Sequence, residues 1–192
     1  MSEAAGSRQQ AAGIAAAAAT QRGASEQPSH DAARCLLPVA REVLETVTDP
    51  ELPFLTIRDL GILRDVRQSD GVVEVVITPT YSGCPANDVI ALDITTALAR
   101  AGIADARIVV QRAPAWTTDW ITAEGRAKLA ANGIAPPPPA SGKRALFSAE
   151  AIACPQCGSA DTERVSEFGS TACKAHYRCV SCREPFEAFK CI

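Results

Sequence analysis

The sequence predicts an α+β chain, with a small sheet covered by helices followed by a β domain folded around a metal ion. Three observations carry this. Helix-period and strand-period segments alternate in the order helix, strand, strand, helix, strand, helix between residues 34 and 132. An Asp70-Gly71 pair sits between two apolar strand segments, a strong hairpin signal. Six of the eight cysteines crowd into the last forty residues, two pairs of them as CxxC.

Taken in order, residues 1–31 are rich in Ala, Gln, Ser and Gly without apolar periodicity and are expected to form a disordered tail. Leu36, Leu37, Ala40, Val43, Leu44 and Val47 then recur at three- and four-residue spacing, one face of a helix. Asp49-Pro50-Glu51-Leu52-Pro53 is expected to end it. Ile62–Val66 and Val72–Thr78 are expected to pair antiparallel through Ser69-Asp70-Gly71. After the loop Pro79–Gly83, Ile90, Ile94, Ala97, Leu98 and Ala101 make the stripe of a second helix stopped by Gly102. Arg107–Gln111 reads as a third strand. Thr122–Asn132 reads as a short helix with Thr122 as N-cap and Gly133 just past its end. Pro136–Pro139 continues neither element and suggests a stiff spacer. The expected organisation is therefore a tail (1–31), an α+β domain (32–134), a Pro-rich linker (135–150) and a Cys-rich ribbon (151–192).

Cys154, Cys157, Cys179 and Cys182 can place four thiolates around one ion, the tetrahedral set preferred by structural zinc; an iron–sulfur centre accepts the same ligands. The ribbon has few apolar residues, mainly Val165, Phe168, Tyr177, Val180, Phe186 and Phe189, so metal is expected to supply much of its folding free energy. Cys173 and Cys191 remain, with His176 between the two CxxC turns. They read either as buried small side chains or as a second soft-ligand site, and His176 as an ordinary packed or exposed imidazole.

In the first domain, Pro85 suits the first position of a helix and makes Cys84 the expected N-cap, where unpaired N–H groups and the helix dipole would lower its pKa. The alternative is a thiol packed under the turn. Asp49 and Glu51 are acids in a Pro-bounded loop, solvated unless the fold carries them to Cys84. Trp116 and Trp120 fit loop packing or a partner surface.

No basic n-region with an apolar run begins the chain, and no segment is apolar enough to span a membrane, so a cytoplasmic protein with reduced thiols is expected. Net charge is −3, and the ribbon balances five Lys/Arg against five acids, which argues against a nucleic-acid partner. No catalytic triad, phosphate loop or nucleotide fingerprint is present, so an independent enzyme is not expected.

Asp49-Pro50-Glu51, Asp59-Leu60-Gly61 and Thr80 through Cys84-Pro85 on a strand-to-helix turn resemble the MIP18 (DUF59) family of iron–sulfur assembly factors. With the Trp116 segment, Glu167-Phe168-Gly169-Ser170-Thr171-Ala172-Cys173-Lys174 and Arg183-Glu184-Pro185-Phe186, residues 33–192 are similar to an accessory-protein family of bacterial phenylacetyl-CoA epoxidase systems. The resemblance implies a non-catalytic factor that matures the complex by serving its iron–sulfur reductase or its di-iron oxygenase. It also implies a pocket of Asp49, Glu51, Thr80 and Cys84 that holds iron or a cluster in transit. A structural adaptor is the alternative, an electron-transfer component is a remoter one, and self-association is left open. The assembly-factor family says nothing about Cys173 or Cys191.

Overall fold

The computed structural model describes residues 30–81, 83–138 and 152–190. The expected tail lies outside these residues except for its last two positions, as do most of the expected linker and Cys191.

Helix α1 (His30–Leu44) seals the core with Ala40 and Leu44, both fully buried. It ends earlier than Pro50 requires. Thr46 and Val47 N–H groups donate to carbonyls three residues back, and the Thr46 hydroxyl donates to the Val43 carbonyl, so the last turn tightens and closes itself. Val47 stays in the core from outside the helix. Strands β1 (Leu63–Ser69) and β2 (Val72–Ile77) pair antiparallel about Asp70 and Gly71, whose φ angles are 53° and 81°. Positive φ at both central residues gives a hairpin turn whose twist matches the strands.

Helix α2 (Ala86–Arg100) buries Ile90, Ile94 and Leu98 and returns the chain to β3 (Ala106–Val110), which lies parallel to β2. The sheet order β1-β2-β3 thus contains one hairpin and one helix crossover. Val73, Val75 and Ile77 of β2 enter the core that α1 and α2 cover. On its opposite face Glu74 accepts from Arg67 at 3.1 Å and Arg107 at 3.2 Å, one charge from each flanking strand.

Helix α3 (Ala123–Ala131) starts as the sequence predicts, with Thr122 accepting from Gly125 N–H at 2.9 Å. Its anchor is the Asp59-Leu60-Gly61 turn. Asp59 Oδ2 accepts from Thr56 N–H at 2.9 Å and Lys128 Nζ at 2.8 Å, and the Asp59 carbonyl accepts from Thr122 N–H. The Leu60 carbonyl accepts from Trp116 Nε1–H at 2.8 Å, and Arg64 lies 3.6 Å over the Trp120 ring. Both tryptophans therefore pack the loop onto the sheet.

Burial works to raise the Asp59 pKa, but Lys128 and the Thr56 N–H and hydroxyl outweigh it and hold the carboxyl below its ordinary range. A lowered folded-state pKa stabilises the fold above the unfolded carboxyl value, about 3.9, and this contribution is lost as pH falls through the folded value. Urea unfolding between pH 7 and pH 2.5 is expected to show wild type more stable than Asp59→Asn at neutral pH, with the gap closing below about pH 4. A gap that stayed constant with pH would remove the ion pair as its cause.

Beyond α3 the chain enters β4 (Ile134–Ala135), which pairs in parallel with β7 (Pro185–Phe189). The order of the second sheet is β4-β7-β6-β5, with β5 (Thr162–Ser166) and β6 (Lys174–Cys179) completing it. The start of the expected linker is thus held in structure: Pro137 is buried and its carbonyl accepts from Arg126. The ribbon's interior also differs from expectation. Val165, Phe168 and Val180 are exposed, while Phe186, Ala188, Cys154 and Cys179 close around Ala135, with Tyr177 stacked on Phe186. Phe189 leaves that cluster for the first domain's core and meets the Trp116 ring at 6.1 Å.

Candidate metal centres

Two reverse turns build the ribbon centre. After Cys157, Gly158 takes φ 75° and donates to the Cys154 carbonyl; after Cys182, Arg183 takes φ 66°. A 2.8 Å hydroxyl contact between Ser159 and Ser181 ties the turns together. All four sulfurs lie within 4.8 Å of one another, with Cys154–Cys182 at 3.7 Å and Cys157–Cys179 at 3.5 Å. A tetrahedron with Zn–S bonds near 2.3 Å has sulfur–sulfur edges of about 3.8 Å, so the residues fit zinc.

The electrostatics ask for the same cation. N–H donation from Cys182 brings the Cys179 pKa down to about 6. Cys182, although it receives an N–H from Glu184, is pushed up to about 12 by burial and its three sulfur neighbours. Four thiolates this close do not all ionise unless a cation joins them. His176 is half-buried on β6 and stands outside the set.

The second centre lies where β2 runs into α2. Cys84 donates its N–H to the Tyr81 carbonyl, its own carbonyl accepts from Asn87 N–H, and Ala86 N–H reaches its sulfur. Helix α2 begins at Ala86 with Pro85 at the cap, one residue later than expected. The thiol is half-buried, and its pKa is raised, not lowered. Burial leads, the Ala86 N–H opposes it, and the negative charges of Glu51 and Asp49 add to it. The helix terminus was legible in sequence; the burial that overrules it, and the two acids from another loop that add to it, were not.

Those acids are placed by the Asp49–Leu55 turn. Asp49 N–H donates to the Leu55 carbonyl, and its Oδ1 accepts from Glu51 N–H at 2.8 Å and Leu52 N–H at 3.0 Å. Asp49 is 9% exposed, and burial raises its pKa against the pull of the two N–H groups and of Lys174. Asp49 is thus partly structural, since one oxygen shapes the turn and the other takes neither bond. Glu51 is half-buried beside it. Thr80 is half-buried in the same loop as Cys84, and among the described residues no hydrogen bond joins it to the thiol. The charges of Asp49 and Glu51 thus reach Cys84, and Thr80 lies in the same loop as Cys84. Thr78 Oγ1, at the end of β2, is buried without a hydrogen-bond partner among the described residues.

Cys173 lies apart from the four converging ribbon thiols, which spacing did not reveal. It packs against the first domain's core and not the ribbon's. Burial raises its pKa, the Thr171 hydroxyl at 3.1 Å opposes, and Glu51 and Asp49 raise it further.

An α+β domain joined to a β ribbon with four converging cysteines defines a two-part chain whose second part has the geometry of a metal-binding ribbon. Comparison with known proteins supports both halves. Residues 39–110 match the iron-sulfur cluster assembly protein family and residues 138–190 the PaaD zinc beta ribbon domain. An Escherichia coli protein provisionally named as the D component of 1,2-phenylacetyl-CoA epoxidase is 48% identical over 150 residues, 78% of this chain and 90% of that one. An Fe-S protein maturation auxiliary factor of Porphyromonas gingivalis is 34% identical over 45% of this chain and 84% of its own. The crystal structure of a DUF59 domain from Bacillus anthracis aligns with 50% of this chain and 92% of its own, at 24% identity and a TM-score of 0.46. The chain belongs to the PaaD family. Among the described residues no helix is long and apolar enough to cross a membrane.

Proposed function

We propose that this chain is a cytoplasmic accessory factor of phenylacetate catabolism that matures an iron centre of a phenylacetyl-CoA epoxidase complex and does not itself perform the epoxidation. The observation that carries the reading is that the charges of Glu51 and Asp49, from a separate loop, act on the half-buried Cys84 thiol. Cys84 offers a soft sulfur ligand, while the carboxylates offer hard oxygens that exchange readily, a donor set suited to receiving iron and giving it up. Thr80, in the same loop as Cys84, would serve the same site as a hydrogen-bond donor. The ribbon's four thiolates fill every position on a zinc ion, so that metal is resident scaffold, not cargo. The exposed Val165, Phe168 and Val180 are apolar side chains on the ribbon that a client protein could cover.

Co-expression of the reductase and oxygenase with wild-type or Cys84→Ser protein, followed by iron analysis of each purified client, tests this. Iron in one of the two is expected to fall severalfold with the variant. Full iron in both would sink the reading. It would favour a structural adaptor, for which the exposed ribbon face is the supporting observation and loss of complex binding on removing the ribbon is the expected result.

A further inference from the structure

The edge of a sheet is a row of unpaired N–H and C=O groups, and proteins protect such rows with bulges, very short strands or side chains laid along them. The two sheets end on β1 and β3 and on β4 and β5, and three of these edges are protected. On the outer side of β1 the Val66 carbonyl accepts from Arg41 Nη2 at 3.0 Å and the Val66 N–H donates to Asp65 Oδ1 at 2.8 Å, beside a register shift between Leu63 and Asp65. β5 carries a register shift between Arg164 and Ser166, and β4 is two residues long.

The β3 edge has no such device. Gln111 N–H donates to the Ile77 carbonyl at 2.8 Å, which fixes the phase of the parallel ladder. Alternate residues of a parallel strand turn both backbone groups to the same neighbour, so Arg107, Val109 and Gln111 face β2. Ala106, Ile108 and Val110 therefore turn theirs outward, and among the described residues no hydrogen bond from another segment meets them. The strand has no proline, and its register with β2 is unbroken. Its one charge, Arg107, is already paired with Glu74, while Ile108 is half-buried and Val110 is 44% exposed.

The charges at the two ends of the strand select what lies against it. Asp105 precedes it and Arg112 follows it; both are exposed, and among the described residues neither is in an ion pair. A parallel copy of the strand would set each of these charges against its like. An antiparallel copy turned about Ile108 puts Ile108 opposite Ile108, Ala106 opposite Val110 and Arg107 opposite Val109, and brings Asp105 diagonally beside Arg112 of the other copy. The segment Asp105–Arg112 is thus complementary to itself.

We infer that two copies of this chain form a two-fold dimer through β3, pairing antiparallel about Ile108 and doubling the three-stranded sheet. Ala106, Ile108 and Val110 of each copy each donate one N–H and accept one at the new ladder. The contact goes beyond the maturation role and does not depend on it, since neither Cys84 nor the ribbon takes part.

The full-length, zinc-loaded chain is followed by analytical ultracentrifugation across about a hundredfold range of concentration, with amide exchange read by NMR at both ends. Two copies are expected at the upper end. The Arg107, Val109 and Gln111 amides should be protected throughout, and those of Ala106, Ile108 and Val110 only in the dimer. Val110→Pro removes an N–H that makes no bond within the chain, a change an edge strand tolerates, and its ring obstructs the pairing. It should weaken association at least about hundredfold with zinc content unchanged. Arg112→Glu, which sets like charges near Asp105 of the other copy, should weaken association about tenfold at low salt, and adding Asp105→Arg should restore it. A single copy at every concentration overturns the proposal. So does a dimer in which the Ile108 and Val110 amides exchange at the monomer's rate, or one that a folded Val110→Pro leaves intact. Should Val110→Pro not fold, the charge pair decides: association unchanged by Arg112→Glu overturns it equally.

Discussion

Stripping zinc from the full chain, or replacing Cys179 with Ser, is expected to unfold the ribbon from Cys154 to Lys190 while the sheet β1-β2-β3 keeps its fold. The reason is the poverty of the ribbon's own interior. Its buried set is Ala135, Cys154, Cys179, Phe186 and Ala188, two of which are metal ligands. Their apolar area is far too small to offset the ordering of some forty residues at about 1–2 kcal/mol each. Structural zinc in comparable small units supplies on the order of 10–16 kcal/mol, as much as the whole stability of an ordinary domain. The effect should cross the domain boundary. Phe189 is 2% exposed and covers Trp116, one of only two tryptophans, so loss of the ribbon wets that indole. Metal analysis, tryptophan emission and amide spectra together make the check: a red shift with loss of the ribbon's amide signals is expected. An unchanged ribbon in the metal-free chain would mean that the two turns hold themselves.

The parts of this molecule that were legible in the sequence are those with a local cause. The hairpin is written in Asp70-Gly71, the start of α3 in Thr122, and the four converging thiols in two CxxC turns whose geometry needs only four residues each. The parts that were not legible depend on segments far apart in the chain. Nothing near Ile134 announces that it pairs with β7 some fifty residues later. Cys84 at the head of a helix suggests a low thiol pKa, and the reversal comes first from burial under the folded chain, with Glu51 and Asp49, about thirty-five residues upstream, adding to it. Cys173 reads as a ribbon cysteine by position and is a first-domain neighbour by packing. Phe168 and Val165 misled for a related reason. A ribbon centred on metal does not need all its apolar residues inside, so hydrophobicity alone did not mark the interior.

Gly61→Ala is expected to be the most damaging single-methyl change in the first domain. The residue sits at φ 67°, where a Cβ costs about 1–2 kcal/mol by itself. There is also no room for it: an added Cβ would lie 2.5 Å from the Trp120 carbonyl oxygen and 2.6 Å from the Trp120 Cβ. Neither atom can move away by rotating a side chain, so the 116–121 segment must be pushed off the sheet. Overpacking of this kind costs about 1–3 kcal/mol, for a total of about 2–5 kcal/mol. The displacement also strains the bonds to the two residues before Gly61, Trp116 Nε1 to the Leu60 carbonyl and Thr122 N–H to the Asp59 carbonyl, which hold α3 and the approach to β4. Gly71 supplies the control. It has φ 81°, yet an added Cβ there meets nothing within 4 Å, so Gly71→Ala carries the backbone cost alone. Denaturant unfolding of both variants separates the two contributions. Gly61→Ala should lose at least twice as much stability as Gly71→Ala, with altered tryptophan emission in the folded state. Equal losses would show that the turn, and not the contact with Trp120, is what requires glycine at position 61.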